Sequence, residues 1–160
     1  MRVEYINPFT EATLSLLEEV LGTEVNRGQL YLKSSSVAIQ GVAALVGLAG
    51  DVEGRVLFDM TKTTALFVAG AMNGGEEFTV MDEMAKATIQ ELANMITARA
   101  VTQLSNLGFK FDLTPPALFT GDNMEVSNNM KMEALIVPME LGPSGKFGRI
   151  DVNVAIRERV

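Results

Sequence analysis

The chain has 160 residues, 48% of them hydrophobic and 21% charged, with a formal net charge of −7, which predicts one folded domain with a sizeable core. It contains neither cysteine nor histidine, so disulfides, thiol nucleophiles, Ser-His-Asp catalysis and the commonest zinc ligand are excluded. The acidic balance disfavours nucleic acid and anionic membrane as partners. The opening MRVEYINPF has no apolar run of the secretory kind. The most apolar stretch, Val42–Ala49, is too short to span a bilayer and contains Gly47. A cytoplasmic location is expected.

In chain order, Arg2–Ile6 reads as a short strand that Asn7-Pro8 stops. Phe9–Leu21 then reads as a helix with Leu14, Leu17, Val20 and Leu21 on its buried side, and Gly22 stands where a C-cap glycine belongs. Gln29–Lys33 and Ser36–Leu48 are strand-like. Gly50-Asp51-Val52-Glu53-Gly54 is a turn, and Arg55–Asp59 alternates as a strand. Thr61–Met72 is a second helix, ended by Asn73-Gly74-Gly75.

A long helix follows from about Thr79 to Leu104, closed by Gly108. Its heart is Met81–Ala100, MDEMAKATIQELANMITARA, free of Gly and Pro and rich in helix formers. At about 100° per residue, Ala85, Ile89, Leu92, Ile96 and Ala100 form a core stripe, and Ala87, Glu91, Asn94 and Ala98 form the opposite, solvent face. Glu91 and Asn94 are three apart, so their side chains are neighbours, with small alanines on either side and Met84 and Met95 at the border. From spacing alone an ordinary solvated face is the favoured reading, since a Glu-x-x-Asn match occurs by chance in many helices.

After the helix, Phe109–Leu113 is β-like, Thr114-Pro115-Pro116 is loop or extended, and Gly121–Asn129 is a polar loop. Met130–Leu141 and Phe147–Ile156 are strands joined by Gly142-Pro143-Ser144-Gly145, a hairpin signal. A repeat emerges. Helix Phe9–Leu21 is followed by Gln29–Lys33 and a Val42–Asp59 hairpin; helix Thr79–Leu104 is followed by Phe109–Leu113 and a Met130–Ile156 hairpin. The fold class is therefore α/β of the α+β type: pseudo-duplicated helix–strand–hairpin units, with long helices on one face of a mostly antiparallel sheet. No linker divides residues 1–160. Strand Phe147–Ile156 offers an edge for pairing with a second copy.

Glu91-Leu-Ala-Asn94 running on as MITARAVTQLSNLG, with Pro115-Pro116 downstream and Asn7-Pro8-Phe9 opening the first helix, resembles the CheC/CheX chemotaxis phosphatase family. The resemblance covers nearly the whole chain. In the CheC branch both equivalent helices can carry the Glu-Asn pair; here the first helix has no asparagine after Pro8, and Glu11, Glu18 and Glu19 form a solvated face. The chain therefore looks closest to the CheX branch, as a single CheX-like domain. Two departures stand. Ala87 occupies the place four before Glu91 where the family pattern often has Ser or Asp, with Thr88 adjacent but turned away, and the proline spacing is a residue or so short.

The resemblance implies a phosphatase for the phosphoaspartate of a CheY-type response regulator, with Glu91 and Asn94 as its catalytic residues. No cofactor of its own is implied, since the partner brings Mg2+. An Asn amide both donates and accepts hydrogen bonds, so Asn94 can hold an attacking water; Glu91 is an acceptor suited to a lysine beside the phosphoaspartate. A homodimer is expected, as CheX relatives look dimeric. The alternative is a non-catalytic interaction module of the same fold in a chemotaxis or flagellar-switch assembly, which needs only the surface.

Other candidates are weaker. Gly70 with Gly74-Gly75 lacks the Lys-Ser/Thr of a phosphate loop and reads as helix capping. Asp122, Asn123 and Glu125 lack the spacing of a calcium loop. Arg99 suits either an ion pair or a docking rim.

Overall fold

Helix α1 (Val3–Leu21) runs through Pro8 instead of beginning after it. The computed structural model describes residues 3–33, 37–127 and 133–159, and Val3–Ile6, expected as a strand, lies in this helix. Pro8 has no N–H to return to the preceding turn, a loss that ends helices lacking other support. Here Tyr5, Ile6, Phe9, Ala12, Leu16 and Leu17 recur at helical spacing and are buried in the core, and the Tyr5 ring meets Phe109 edge-on with centroids 5.2 Å apart. Tertiary burial overrides the local proline signal. At the other end Gly22 takes φ +65° and its N–H donates to the Glu18 carbonyl at 3.1 Å, the left-handed cap that a side chain would strain.

Beyond α1 come β1 (Val25–Arg27), β2 (Tyr31–Lys33), β3 (Val37–Ala38), β4 (Gly41–Gly50) and β5 (Val52–Thr61). Then follow α2 (Lys62–Met72), α3 (Glu83–Asn106), β6 (Phe111–Leu113), β7 (Ala117–Thr120), β8 (Glu125–Val126), β9 (Ala134–Leu141) and β10 (Gly148–Glu158). The five-residue turn expected at Gly50–Gly54 contracts to Asp51, because beyond the last β4–β5 pair, Leu48 opposite Gly54, residues Ala49 and Gly50 pair with β6 while Val52 and Glu53 pair with β10. Strand β7 follows directly on Pro115-Pro116, and β8 lies inside the segment read as loop; both are too short to carry a pattern. Of the strand expected over Met130–Leu141, residues 130–132 lie outside the described residues, and β9 starts at Ala134.

The main sheet has the order β1-β9-β10-β5-β4-β6, with β2 also on β9 and β7 also on β4, and its pairings are antiparallel. The two repeats are thus interlocked: short strands β1 and β2 of the first half complete the second hairpin, and β6 and β7 complete the first. Strand β10 lies between β9 and β5. The expectation of a free edge at Phe147–Ile156 is therefore wrong; β10 and β5 are the two central strands of the sheet. Sequence position near a terminus says nothing of lateral position, and here pairing between halves puts both hairpins' second strands at the centre.

All three helices cover one face. Val42, Ala44, Val46, Val56, Phe58, Met60, Val152, Val154 and Ile156 point into them and join one core with Leu17, Ile89, Leu92 and Ile96. Alternation sends Ala43, Leu57, Asp59, Asp151 and Asn153 to the other face, where Ile39, Met124 and Val126 cover Ala43 and Leu57.

Candidate active site

Helix α3 presents the candidate pair. Its start is fixed by Asp82, whose side chain accepts from the Ala85 N–H at 2.8 Å, with Glu83 in the first turn to complement the helix dipole. Ala85, Ile89, Leu92, Ala93, Ile96, Thr97, Ala100 and Leu104 are buried against the sheet and α1. Ala87, Glu91, Asn94 and Ala98 are all exposed on the opposite side, the division expected from the spacing. Among the described residues, neither the Glu91 carboxylate nor the Asn94 amide has a hydrogen-bond or ion-pair partner. Both are exposed and free to meet something from outside.

The two flanks of this face are fastened to the rest of the fold. On one side Asn73, just past α2, donates from Nδ2 to the Thr88 hydroxyl at 2.9 Å and to the Ala69 carbonyl at 2.7 Å, while Thr88 donates to the Met84 carbonyl at 2.8 Å. The Thr88 hydroxyl is therefore committed, and does not stand in for a hydroxyl at Ala87. Arg99 pairs with Glu19 of α1 at 3.3 Å across an exposed gap, so it is an ion pair of little stabilising weight. On the other side Gln90 donates from Nε2 to the Pro116 carbonyl at 3.0 Å. Met84 is 55% exposed and borders the face; Met95 is half-buried.

The earlier start of α1 changes one reading. Glu4 and Asn7 now fall three residues apart within a helix, the same spacing as Glu91 and Asn94. Asn7 is exposed, and Glu11, one turn on, is exposed as well where α3 has Ala98.

A second polar cluster escaped the sequence reading. Asp59 of β5 and Asp151 of β10 are cross-strand partners and buried. Gln40 donates from its backbone to Asp59 at 3.0 Å and from Nε2 to Asp59 at 3.2 Å and Asp151 at 3.1 Å; Arg149 pairs with Asp151 at 2.9 Å. Burial pushes both carboxyl pKa values above the usual carboxylate range, and burial lowers that of Arg55, which donates to Asn153 at 3.0 Å. The period-two spacing of Arg149, Asp151 and Asn153 was the signal available, since it sets all three on one face. This cluster lies on the sheet face away from α3. Among the described residues, no group of three or more Asp or Glu side chains is placed to hold a metal ion, and no helix is long and apolar enough to cross a membrane.

What α3 offers chemically is an acceptor and an amide side by side, without a nucleophile. Residues 42–140, which contain this pair together with Asn73, Thr88, Gln90 and Pro116, match the model of the chemotaxis phosphatase CheX. The chain belongs to the CheX family. It is 29% identical over 128 residues to the CheY-P phosphatase CheX of Thermotoga maritima, covering 80% of this chain and 83% of that protein. The fold agrees with CheX throughout: the crystal structure of the CheX–CheY–BeF3–Mg2+ complex from Borrelia burgdorferi superposes with a TM-score of 0.83 at 47% identity, over 98% of this chain and 100% of that one. A CheC-like superfamily protein from Shewanella sp. PV-4 gives a TM-score of 0.86 at 26% identity, over 98% and 99% of the two chains. The duplicated helix–hairpin architecture read from the sequence is that of this CheX and CheC-like group.

Proposed function

We propose that this protein is a phosphatase for the phosphoaspartate of a CheY-type response regulator, working through Glu91 and Asn94 of α3. The observation that carries the reading is the unengaged, exposed Glu91–Asn94 pair between small alanines, within a chain of the CheX family. Membership favours the activity, because the Thermotoga relative is a CheY-P phosphatase and the Borrelia relative forms a complex with CheY, BeF3 and Mg2+.

In this reading the partner supplies the Mg2+ that neutralises charge on the phosphoryl group, and the present chain supplies placement. The Asn94 amide holds a water in line with phosphorus. That water's oxygen bonds to phosphorus as the bond to the aspartyl oxygen breaks; the electron pair stays on the carboxylate, and the water's proton leaves with inorganic phosphate. The Glu91 carboxylate accepts a charged hydrogen bond from a lysine of the regulator and anchors the docked helix. Residues 1–160 act as one domain in the cytoplasm and assemble as a homodimer. A monomer by light scattering at micromolar concentration refutes the dimer.

The test is loss of radiolabel from a phosphorylated CheY-type regulator with Mg2+, using wild type and Asn94→Ala. Faster decay with wild type and not with the variant supports the reading. If wild type leaves the decay unchanged, the non-catalytic interaction module of the same fold takes its place.

A further inference from the structure

The connector between β6 and β7, Thr114–Pro116, lies along the flank of α3 that carries Asn94, and it is tied at both ends. Thr114 donates from its backbone to the Gly47 carbonyl at 3.0 Å, and its hydroxyl accepts from the Gly47 N–H at 2.7 Å. A Cβ at residue 47 would meet the Thr114 side chain at 3.0 Å, so glycine makes this seat possible. At the far end, Gln90 Nε2 holds the Pro116 carbonyl at 3.0 Å. Pro115 stands between these anchors and is exposed.

Proline's ring fixes φ, and the anchors fix the backbone on either side. The result is an apolar ring held out on a stiff ridge, a surface that a partner meets without first having to order it. Gln90 precedes Asn94 by one helical turn, so the two side chains are neighbours on α3, roughly 5–6 Å apart at Cβ. The bond from Gln90 therefore sets the ridge beside Asn94, and exposed Met84 borders the face on the opposite flank. A partner that brings its reacting group over Asn94 covers this ridge as well.

We propose that Thr114–Pro116 forms one wall of the seat for the phosphorylated response regulator, and that Gln90 is the positioning residue that holds that wall in place. The identity of the occupant rests on the phosphatase reading above. Gln90 itself touches neither the phosphoryl group nor the water; it acts through the ridge. Its loss weakens docking while leaving the Asn94 amide as it was.

The experiment measures Kd for a CheY-type regulator activated with BeF3 and Mg2+, together with KM and kcat on the phosphorylated regulator and a melting curve. The proteins are wild type, Gln90→Met, Pro115→Gly and the double variant. Methionine keeps the length of Gln90 and removes its donor. The expected result is a rise of roughly three- to tenfold in Kd and KM for each single variant, with kcat near wild type. The double variant is expected to be no worse than the worse single one, since both release the same ridge. Folded Gln90→Met and Pro115→Gly proteins with wild-type Kd and KM overturn the inference, as do additive losses in the double variant. Wild type that binds without turning over defeats the phosphatase reading and leaves the docking wall standing. Wild type that fails to bind overturns both.

Discussion

Asp59 and Asp151 stand directly opposite one another on the two central strands and share the side-chain amide of Gln40. Burial raises both carboxyl pKa values, with the mutual repulsion of the two charges adding to the rise at Asp59. Arg149, with Lys33 farther off, opposes the rise at Asp151.

The sign of the stability effect follows. A carboxyl whose pKa is higher folded than unfolded binds its proton more tightly in the native state. These groups therefore add most stability below the unfolded pKa and lose it as pH rises through the folded value. Urea unfolding between about pH 4 and about pH 7 should show wild type losing stability relative to Asp59→Asn as pH rises. A constant difference between the two proteins across that range would remove the pair from any account of pH dependence.

Asn94 and Glu91 should fail differently. On the proposed roles, Asn94→Ala removes the amide assigned to hold the water, from an exposed position, so kcat should fall about a hundredfold with little change in KM or melting temperature. Glu91→Ala removes the carboxylate proposed to anchor the partner and should weaken docking roughly 10- to 100-fold. Steady-state kinetics on the phosphorylated regulator separate the two; identical profiles for both variants would contradict the division of roles.

Asn7 provides the control for a single active helix. It has the same three-residue spacing to Glu4 that Asn94 has to Glu91. However, exposed Glu11 lies one turn beyond it, where α3 offers Ala98, and a bulky carboxylate there obstructs close approach of a partner to the helix backbone. Asn7→Ala is expected to keep wild-type turnover within about twofold. A loss comparable to that of Asn94→Ala would make α1 a second active helix.

The cap of the site helix should be measurable as stability. Asp82 is the N-cap of α3, bonded to the Ala85 N–H, so Asp82→Ala should cost about 1 kcal/mol in chemical denaturation. A variant as stable as wild type would mean that the first turn of α3 is held by packing alone.

Helical periodicity fixes which residues of α3 are buried, because apolar contacts at 3.6-residue spacing are local to one element. The exposure of Glu91 and Asn94, the cap at Gly22, helix α2 and both hairpins were legible for that reason. So was the family resemblance, carried by Glu91, Asn94 and the prolines. Pairing between distant segments is not local. Whether β10 is edge or centre, and which hairpin each short strand completes, depends on how the halves interlock, and no alternation pattern encodes a neighbour's identity. Pro8 misled for the same reason: its local cost is evident in sequence, whereas the burial of Tyr5, Ile6 and Phe9 that outweighs it arises only in the packed fold. The Asp59–Asp151 pair and the tie from Gln90 to Pro116 likewise belong to the tertiary structure. Each joins residues far apart in the chain through side chains whose reach the sequence does not specify.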